Sequence, residues 1–321
     1  DHDDHTLGHL GRAHWRAHDY RRAVECHTRE ATIARQQGND IGEGHALYQL
    51  ADACAGLRQW DLVVQHAQRA VDIATHQGDT VGEANACGTL SLGLHRVGRD
   101  KEAVDCGERQ LKVLWEQYMR DDAGVPNKLA AFGHIAAAAY SLKWYRRAMK
   151  NAERRILLAE ATGNNLEAIM EAHRIGLLIA TETGDREAEA RVYGMLAATH
   201  FRAGDDAAAT KWHAKREALG RRLGSRFAQS EAFLAAGRMC FARGNLEAAM
   251  EQFKLRLSLT RRYLKDPYLE GCTLDLIADT FYAEDDFIRA ARYFELALPL
   301  VEAAGDAPGS AMTAYKAAMS H

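Results

Sequence analysis

The chain has 321 residues, 47% of them hydrophobic and only four of them proline. That supplies a large core and favours long unbroken helices. Its 41 basic and 44 acidic residues leave a net charge of −3. There is then no global basic field to suggest nucleic acid, and no apolar run reaches the roughly 18–20 residues that span a bilayer.

In chain order, a leucine-like residue followed by a small one recurs at Leu10-Gly11, Leu50-Ala51, Leu90-Ser91, Ile135-Ala136, Leu196-Ala197, Ala236-Gly237 and Ile277-Ala278. The steps between them are 40, 40, 45, 61, 40 and 41 residues. A period of this length is the signature of a stacked array. Residues 45–84 show the unit. Ala46, Tyr48, Leu50, Ala51, Cys54 and Leu57 mark one apolar helix face. Arg58-Gln59 forms a turn, and Trp60, Val63, Val64, Ala67, Ala70, Val71 and Ala74 mark a second face. Gly78-Asp79 then stops one helix and caps the next. The same punctuation stands at Gly38-Asn39-Asp40, Gly163-Asn164, Gly184-Asp185, Gly204-Asp205, Gly244-Asn245 and Gly305-Asp306.

With the leucine-like residue numbered 7, three further columns fall into line. Column 8 is small in every unit because two helices touch there. Column 20 reads Ala23, Val63, Ala103, Ala148, Ala209, Ala249 and Ala290, and column 17 holds Tyr20, Trp60, Tyr145, Leu246 and Phe287. The predicted fold is all-α, a right-handed superhelical solenoid of antiparallel helix pairs.

The period breaks twice. Five extra residues before Ile135 are expected to lengthen the loop at 121–127. Twenty-one extra residues before Leu196 fit one amphipathic helix over 165–182. The expected organisation is repeats one to four over 1–162, a single helix or joint over 163–183, repeats five to seven over 184–306, and a terminal helix over 307–321. That last helix reads as a cap or as the start of a further repeat. Pro267 and Pro308 suit first helical turns, whereas Pro299 falls late in a second helix. The basic run 261–265 closes another second helix.

The segments Gly38-Asn-Asp-Ile-Gly-Glu-Gly-His-Ala46 and Gly78-Asp-Thr-Val-Gly-Glu-Ala-Asn-Ala86 resemble the inter-repeat signature of long-unit tetratricopeptide proteins of the Pins/LGN and rapsyn type. The resemblance covers nearly the whole chain. It implies a scaffold of TPR-like α–α pairs that binds peptides along its first helices. In Pins/LGN proteins an asparagine after the Leu-Gly pair helps hold the peptide backbone. Here that place holds Arg12, Asp52, Leu92, Ala137, Ala198, Arg238 and Asp279, so the asparagine ladder is absent.

Column 12 of the first helices holds Trp15, Ala55, His95, Tyr140, Phe201, Phe241 and Tyr282. These side chains are candidate anchors for a peptide, and packing against a neighbouring first helix is the competing reading. Arg12, Arg16, Arg96, Arg202 and Arg238 lie within a turn of that column, where guanidinium forks suit acidic segments. Asp52, Asp275 and Asp279 dilute this pattern. The candidate groove residues are therefore Arg12, Trp15, Arg16, His95, Arg96, Tyr140, Phe201, Arg202, Arg238, Phe241 and Tyr282. His5/His9 and His14/His18 have i,i+4 spacing that can chelate zinc, but the pattern places no third ligand, and no metal is expected.

No GxSxG, HExxH, Walker-type or GxGxxG motif occurs in a suitable context, so neither catalysis nor a cofactor is expected. The six cysteines at 26, 54, 87, 106, 240 and 272 form no CxxC pair. They read as free thiols on helices, and with no signal-peptide pattern at the start they suggest a reducing, cytoplasmic setting. Three functions stay open. The first is a non-catalytic adaptor that holds a partner peptide, acidic in character, in its groove. The second is a structural subunit of a multi-subunit cytoskeletal or ciliary assembly. The third is a regulatory sensor that responds to a peptide.

Overall fold

The computed structural model describes residues 2–117, 124–163 and 165–320, with side chains except at 2–5 and 117. Among the described residues it is built of helices alone. The pairs are α1 (His2–Arg16) with α2 (Tyr20–Gln36), α3 (Asp40–Gly56) with α4 (Trp60–Gln77), α5 (Thr80–Arg96) with α6 (Asp100–Gln117), and α7 (Val125–Ser141) with α8 (Tyr145–Ala161). A single helix, α9 (Leu166–Thr183), follows. Then come α10 (Arg186–Arg202) with α11 (Asp206–Arg222), α12 (Arg226–Ala242) with α13 (Leu246–Leu259), α14 (Pro267–Ala283) with α15 (Phe287–Ala303), and finally α16 (Ala307–Met319). The chain divides into two compact units, Asp1–Ile179 and Ala180–His321, with the division falling inside α9.

Local chemistry sets the helix ends. Glycines 38, 78, 184, 224 and 305 take positive φ where one pair gives way to the next helix, as do Gly98, Gly204 and Gly244 inside pairs. The following polar residue accepts from a backbone N–H one turn ahead, as Asn39 Oδ1 does from Gly42 and Asp79 Oδ1 from Gly82, both at 2.9 Å. This satisfies a donor that the first helical turn leaves free. Four turns inside pairs do without glycine: His18, Arg58, Lys143 and Asp285 sit at φ near +60°. Each carries a steric cost that glycine would avoid.

The columns read from the sequence are the core. Column 20 is fully buried in all seven pairs. Column 8 lies beneath it. Ser91 Oγ donates to the carbonyl of Ala103 at 2.7 Å, and a Cβ at Gly11 would stand 2.5 Å from the His27 ring. Leu50, Leu90, Ile135, Leu196 and Ile277 are at most 4% exposed, whereas Leu10 on the first pair is 47% exposed.

Within the first unit α1 touches α3, α3 touches α5 and α5 touches α7. No second helix makes comparable contact with the next second helix among the described residues. First helices are thus the closer spaced, which puts them on the inner side of the stack. In the second unit α10 touches α12 in the same way.

Some local expectations shift. Val125, Pro126 and Asn127 begin α7 rather than a loop, while residues 121–123 of the expected loop, and Asn164, lie outside the described residues. Asn165 supplies the cap of α9, accepting from Ala168 N–H at 3.1 Å. The basic run after α13 is a π turn, Thr260–Leu264, closed by Lys265 at positive φ. Pro299 lies within α15, which continues to Ala303.

Candidate functional site

In the first unit, column 12 meets column 17 across the turn of its own pair. Trp15 packs edge-on against Tyr20 with ring centres 6.5 Å apart, and Tyr140 lies 6.3 Å from Tyr145. His95 Nδ1 bonds the Asp100 carboxylate at 2.6 Å. Arg96 is exposed and stacks over Trp60 at 5.4 Å. Arg12 bonds Gln49 Oε1 at 3.4 Å and His9 Nδ1 at 3.0 Å, and Arg16 is exposed.

In the second unit Tyr282 packs edge-on against Phe287, ring centres 5.1 Å apart. Arg243 covers the Phe201 ring at 4.6 Å. Phe241 lies half-buried against the core formed by Phe253 and Ile277, and Arg202 and Arg238 are exposed. Trp15, Tyr140 and Tyr282 thus brace hairpin turns while keeping part of their surface accessible.

Two acids on α14 are engaged within the protein. Lys316 of α16 binds Asp275 and Asp279, both at 2.9 Å. Two of the three aspartates that diluted the basic pattern in the sequence are thereby paired with a cation from a helix far along the chain. Asp52 is half-buried, and burial raises its pKa, with His27 opposing.

A second set of arginines was missed because they belong to second helices. Column 27 holds Glu30, Ala70, Gln110, Arg155, Arg216, Arg256 and Ala297. Column 5, facing it, holds Gly8, Tyr48, Gly88, Gly133, Gly194, Leu234 and Asp275. Glycine in column 5 accompanies a long polar side chain in column 27, and the larger Tyr48 and Asp275 accompany alanine. The structure supplies the reason. A Cβ at Gly88 would stand 2.6 Å from the Gln110 amide, one at Gly133 2.6 Å from Arg155 Nη1, and one at Gly194 3.0 Å from Arg216 Nη1. The missing side chain is the passage by which column 27 crosses its partner helix. Where Leu234 closes it, Arg256 turns instead to Ser230 Oγ at 3.3 Å and Thr273 Oγ1 at 3.0 Å. The signal was present in the sequence as paired columns twenty-two residues apart.

In the first unit this passage opens into a cavity of about 350 Å³ lined by α5, α7, α8 and α9. His95, Arg96, His134, Arg155, Glu171 and Arg174 contribute its polar groups. Arg155 Nη2 bonds Glu171 at 2.6 Å, while its buried Nε and the buried His134 Nδ1 have no partner. Burial, then the charges of Arg155, His95 and Arg96, hold the His134 pKa down to about 4, so its ring is neutral near pH 7. In the second unit His213 is held down to about 4 by burial and by Arg216.

Among the described residues no group of three histidine, cysteine, aspartate or glutamate side chains is placed to hold a metal. The His5 side chain lies outside them. His18 Nδ1 bonds the Tyr20 hydroxyl at 2.8 Å, and His14 lies 3.9 Å from Asp19. No described helix is long and apolar enough to cross a membrane.

Residues 6–41 match the family model for the tetratricopeptide repeat. No curated protein matches the chain. Among solved structures, the chain is similar to the nearly identical TPR-like repeats described as a kinesin light chain of Podosopora anserina. The identity is 15%, covering 63% of this chain and 98% of that one, with a TM-score of 0.52. It is also similar to the apo form of RapI, at 11% identity, 92% and 97% coverage and a TM-score of 0.45. A Rap protein complexed with Competence and Sporulation Factor matches at 14% identity, 95% and 76% coverage and a TM-score of 0.45. With the helix pairing above, the repeat match and the first of these structures define a tetratricopeptide-repeat fold. The Pins/LGN and rapsyn subtype is not distinguished by them.

Proposed function

We propose that the chain is a non-catalytic interaction scaffold whose first helices hold a partner peptide of acidic character. The observation that carries this reading is the unequal state of the charges on those helices. Arg16, Arg96 and Arg238 are exposed, whereas Asp275 and Asp279 are bonded to Lys316. Exposed guanidinium groups beside part-exposed aromatic rings offer bidentate pairing and stacking to an acidic segment. Trp15 and Tyr140 supply the stacking surface in the first unit, with Arg12 and His95 at its polar edge, and Phe201, Phe241 and Tyr282 supply that of the second.

The test is fluorescence anisotropy on the full chain with a labelled glutamate-rich decapeptide and a lysine-rich one of equal length. The glutamate-rich peptide is expected to bind in a salt-dependent way. A triple variant, Arg96→Glu, Arg202→Glu and Arg238→Glu, should weaken it by about tenfold or more. Unchanged affinity in that variant removes the acidic-peptide reading. A structural subunit, in contrast, would co-purify with its assembly in fixed ratio and keep doing so after the triple reversal.

A further inference from the structure

We propose that the cavity between α5, α7, α8 and α9 is a binding site for a phosphomonoester dianion. The inference deepens the peptide-binding reading of this face and rests on it for one source of the phosphate, a phosphorylated side chain of the bound segment.

Three guanidinium groups, Arg96, Arg155 and Arg174, line the cavity against one carboxylate, Glu171. The surplus is two positive charges, which a phosphate dianion matches and a single carboxylate does not. Each arginine comes from a different helix, α5, α8 and α9, so the charges converge from three sides as a compact oxyanion requires. Arg96 is held from behind by the Trp60 ring, and Arg155 by Glu171. That bond occupies Arg155 Nη2 and leaves Nε buried without a partner. His134 Nδ1 is the second buried atom without one. An unpaired buried polar atom costs free energy that a bound ligand recovers. The neutral His134 ring can donate a hydrogen bond without adding charge. The volume of about 350 Å³ accommodates a phosphoryl group with the carbon chain that bears it. Gly133 is the enabling residue, because any side chain there would meet the Arg155 guanidinium.

The experiment follows the histidine resonances of the full chain by proton–carbon NMR, with His134 assigned through His134→Gln. Three probes are added at matched ionic strength: inorganic phosphate, a glycine-flanked phosphoserine pentapeptide, and its unphosphorylated form. The two phosphate probes should move the His134 resonance and raise its pKa by about one unit, since an anion offsets Arg96, Arg155 and Arg174 around it. The unphosphorylated peptide should leave both unchanged. Affinity for phosphate should fall by about tenfold in Arg174→Gln, an exposed position that spares the core, and further in Arg155→Gln. Tighter binding of the phosphopeptide supports the site and assigns the phosphate to a phosphorylated segment; equal binding supports the site and assigns it to free phosphate. No movement of His134 with either probe, or equal affinity in Arg174→Gln, overturns the proposal. If the glutamate-rich decapeptide still binds through Arg96, Arg202 and Arg238 in that event, the peptide reading stands and the phosphate site alone falls.

Discussion

Arg155 crosses the face of Gly133, its Nη1 2.6 Å from where a Cβ on residue 133 would lie. In the sixth pair a buried ring takes the equivalent role, with Phe253 pressed against Gly237. The two glycines predict opposite outcomes. Gly133→Ala displaces the tip of a flexible side chain and gains helix propensity, so its stability should stay within about 1 kcal/mol of the parent. Gly237→Ala meets a ring with nowhere to move and should cost about 1–3 kcal/mol. Urea unfolding of both variants checks this, and a larger loss at 133 than at 237 refutes the passage described for Arg155.

Acid should weaken the fold through buried histidines. His134 and His213 are held at about 4 in the folded chain against 6.5 when unperturbed, and burial displaces His66 in the same direction. Between those values the unfolded chain binds more protons than the folded one. Stability is therefore complete above pH 6.5 and declines as pH falls toward 4. The urea midpoint should drop between about pH 7.5 and about pH 5, and His134→Gln with His213→Gln should flatten that slope. An unaltered slope in the double variant would remove these two histidines as its cause; carboxylates such as Glu43 and Glu189, whose pKa values are lowered from 4.5, lose their contribution only at more acid pH.

Non-glycine residues at positive φ mark positions open to stabilisation. Arg58 and Asp285, at φ 59°, are exposed turn residues. Arg58→Gly and Asp285→Gly should each raise stability by about 0.5–1 kcal/mol, relief of backbone strain outweighing the added freedom of the unfolded chain. A rise in Tm of about 1 °C for each is expected in circular dichroism melts. A fall in both would show that these side chains contribute contacts exceeding the strain.

Lys316 joins α16 to α14 through Asp275 and Asp279. Lys316→Met leaves two half-buried carboxylates facing each other and should cost about 1–3 kcal/mol. Adding Asp275→Asn and Asp279→Asn should restore much of that loss, and a double-mutant cycle by urea unfolding measures the coupling. Additive effects would mean the ion pairs contribute nothing to docking α16.

How much of this was legible in the sequence follows from the range of each interaction. The unit length, the small column 8 and the alanine-rich column 20 were readable because they record contacts within one pair, repeated seven times at fixed spacing. The single helix at Leu166–Thr183 was readable as an insertion too short for a pair. The phosphate-sized cavity was not, because it draws on α5, α7, α8 and α9 at once and on a second-helix arginine that column 12 says nothing about. Its trace, glycine in column 5 answered by a long side chain in column 27, is visible only once those columns are known to face each other.

The sequence by itself determined the all-helical fold, the register of seven pairs and the place where the period breaks, since helix periodicity and capping are local and a repeat states them many times over. Only the tertiary structure decided which charges remain available. Asp275 and Asp279 read as acids of the inner face until α16 brings Lys316 onto them, and Arg155 reads as an outer-helix cation until the gap at Gly133 admits it. Charge acts through space, and the partners that cancel or concentrate it here lie between 16 and 41 residues away along the chain.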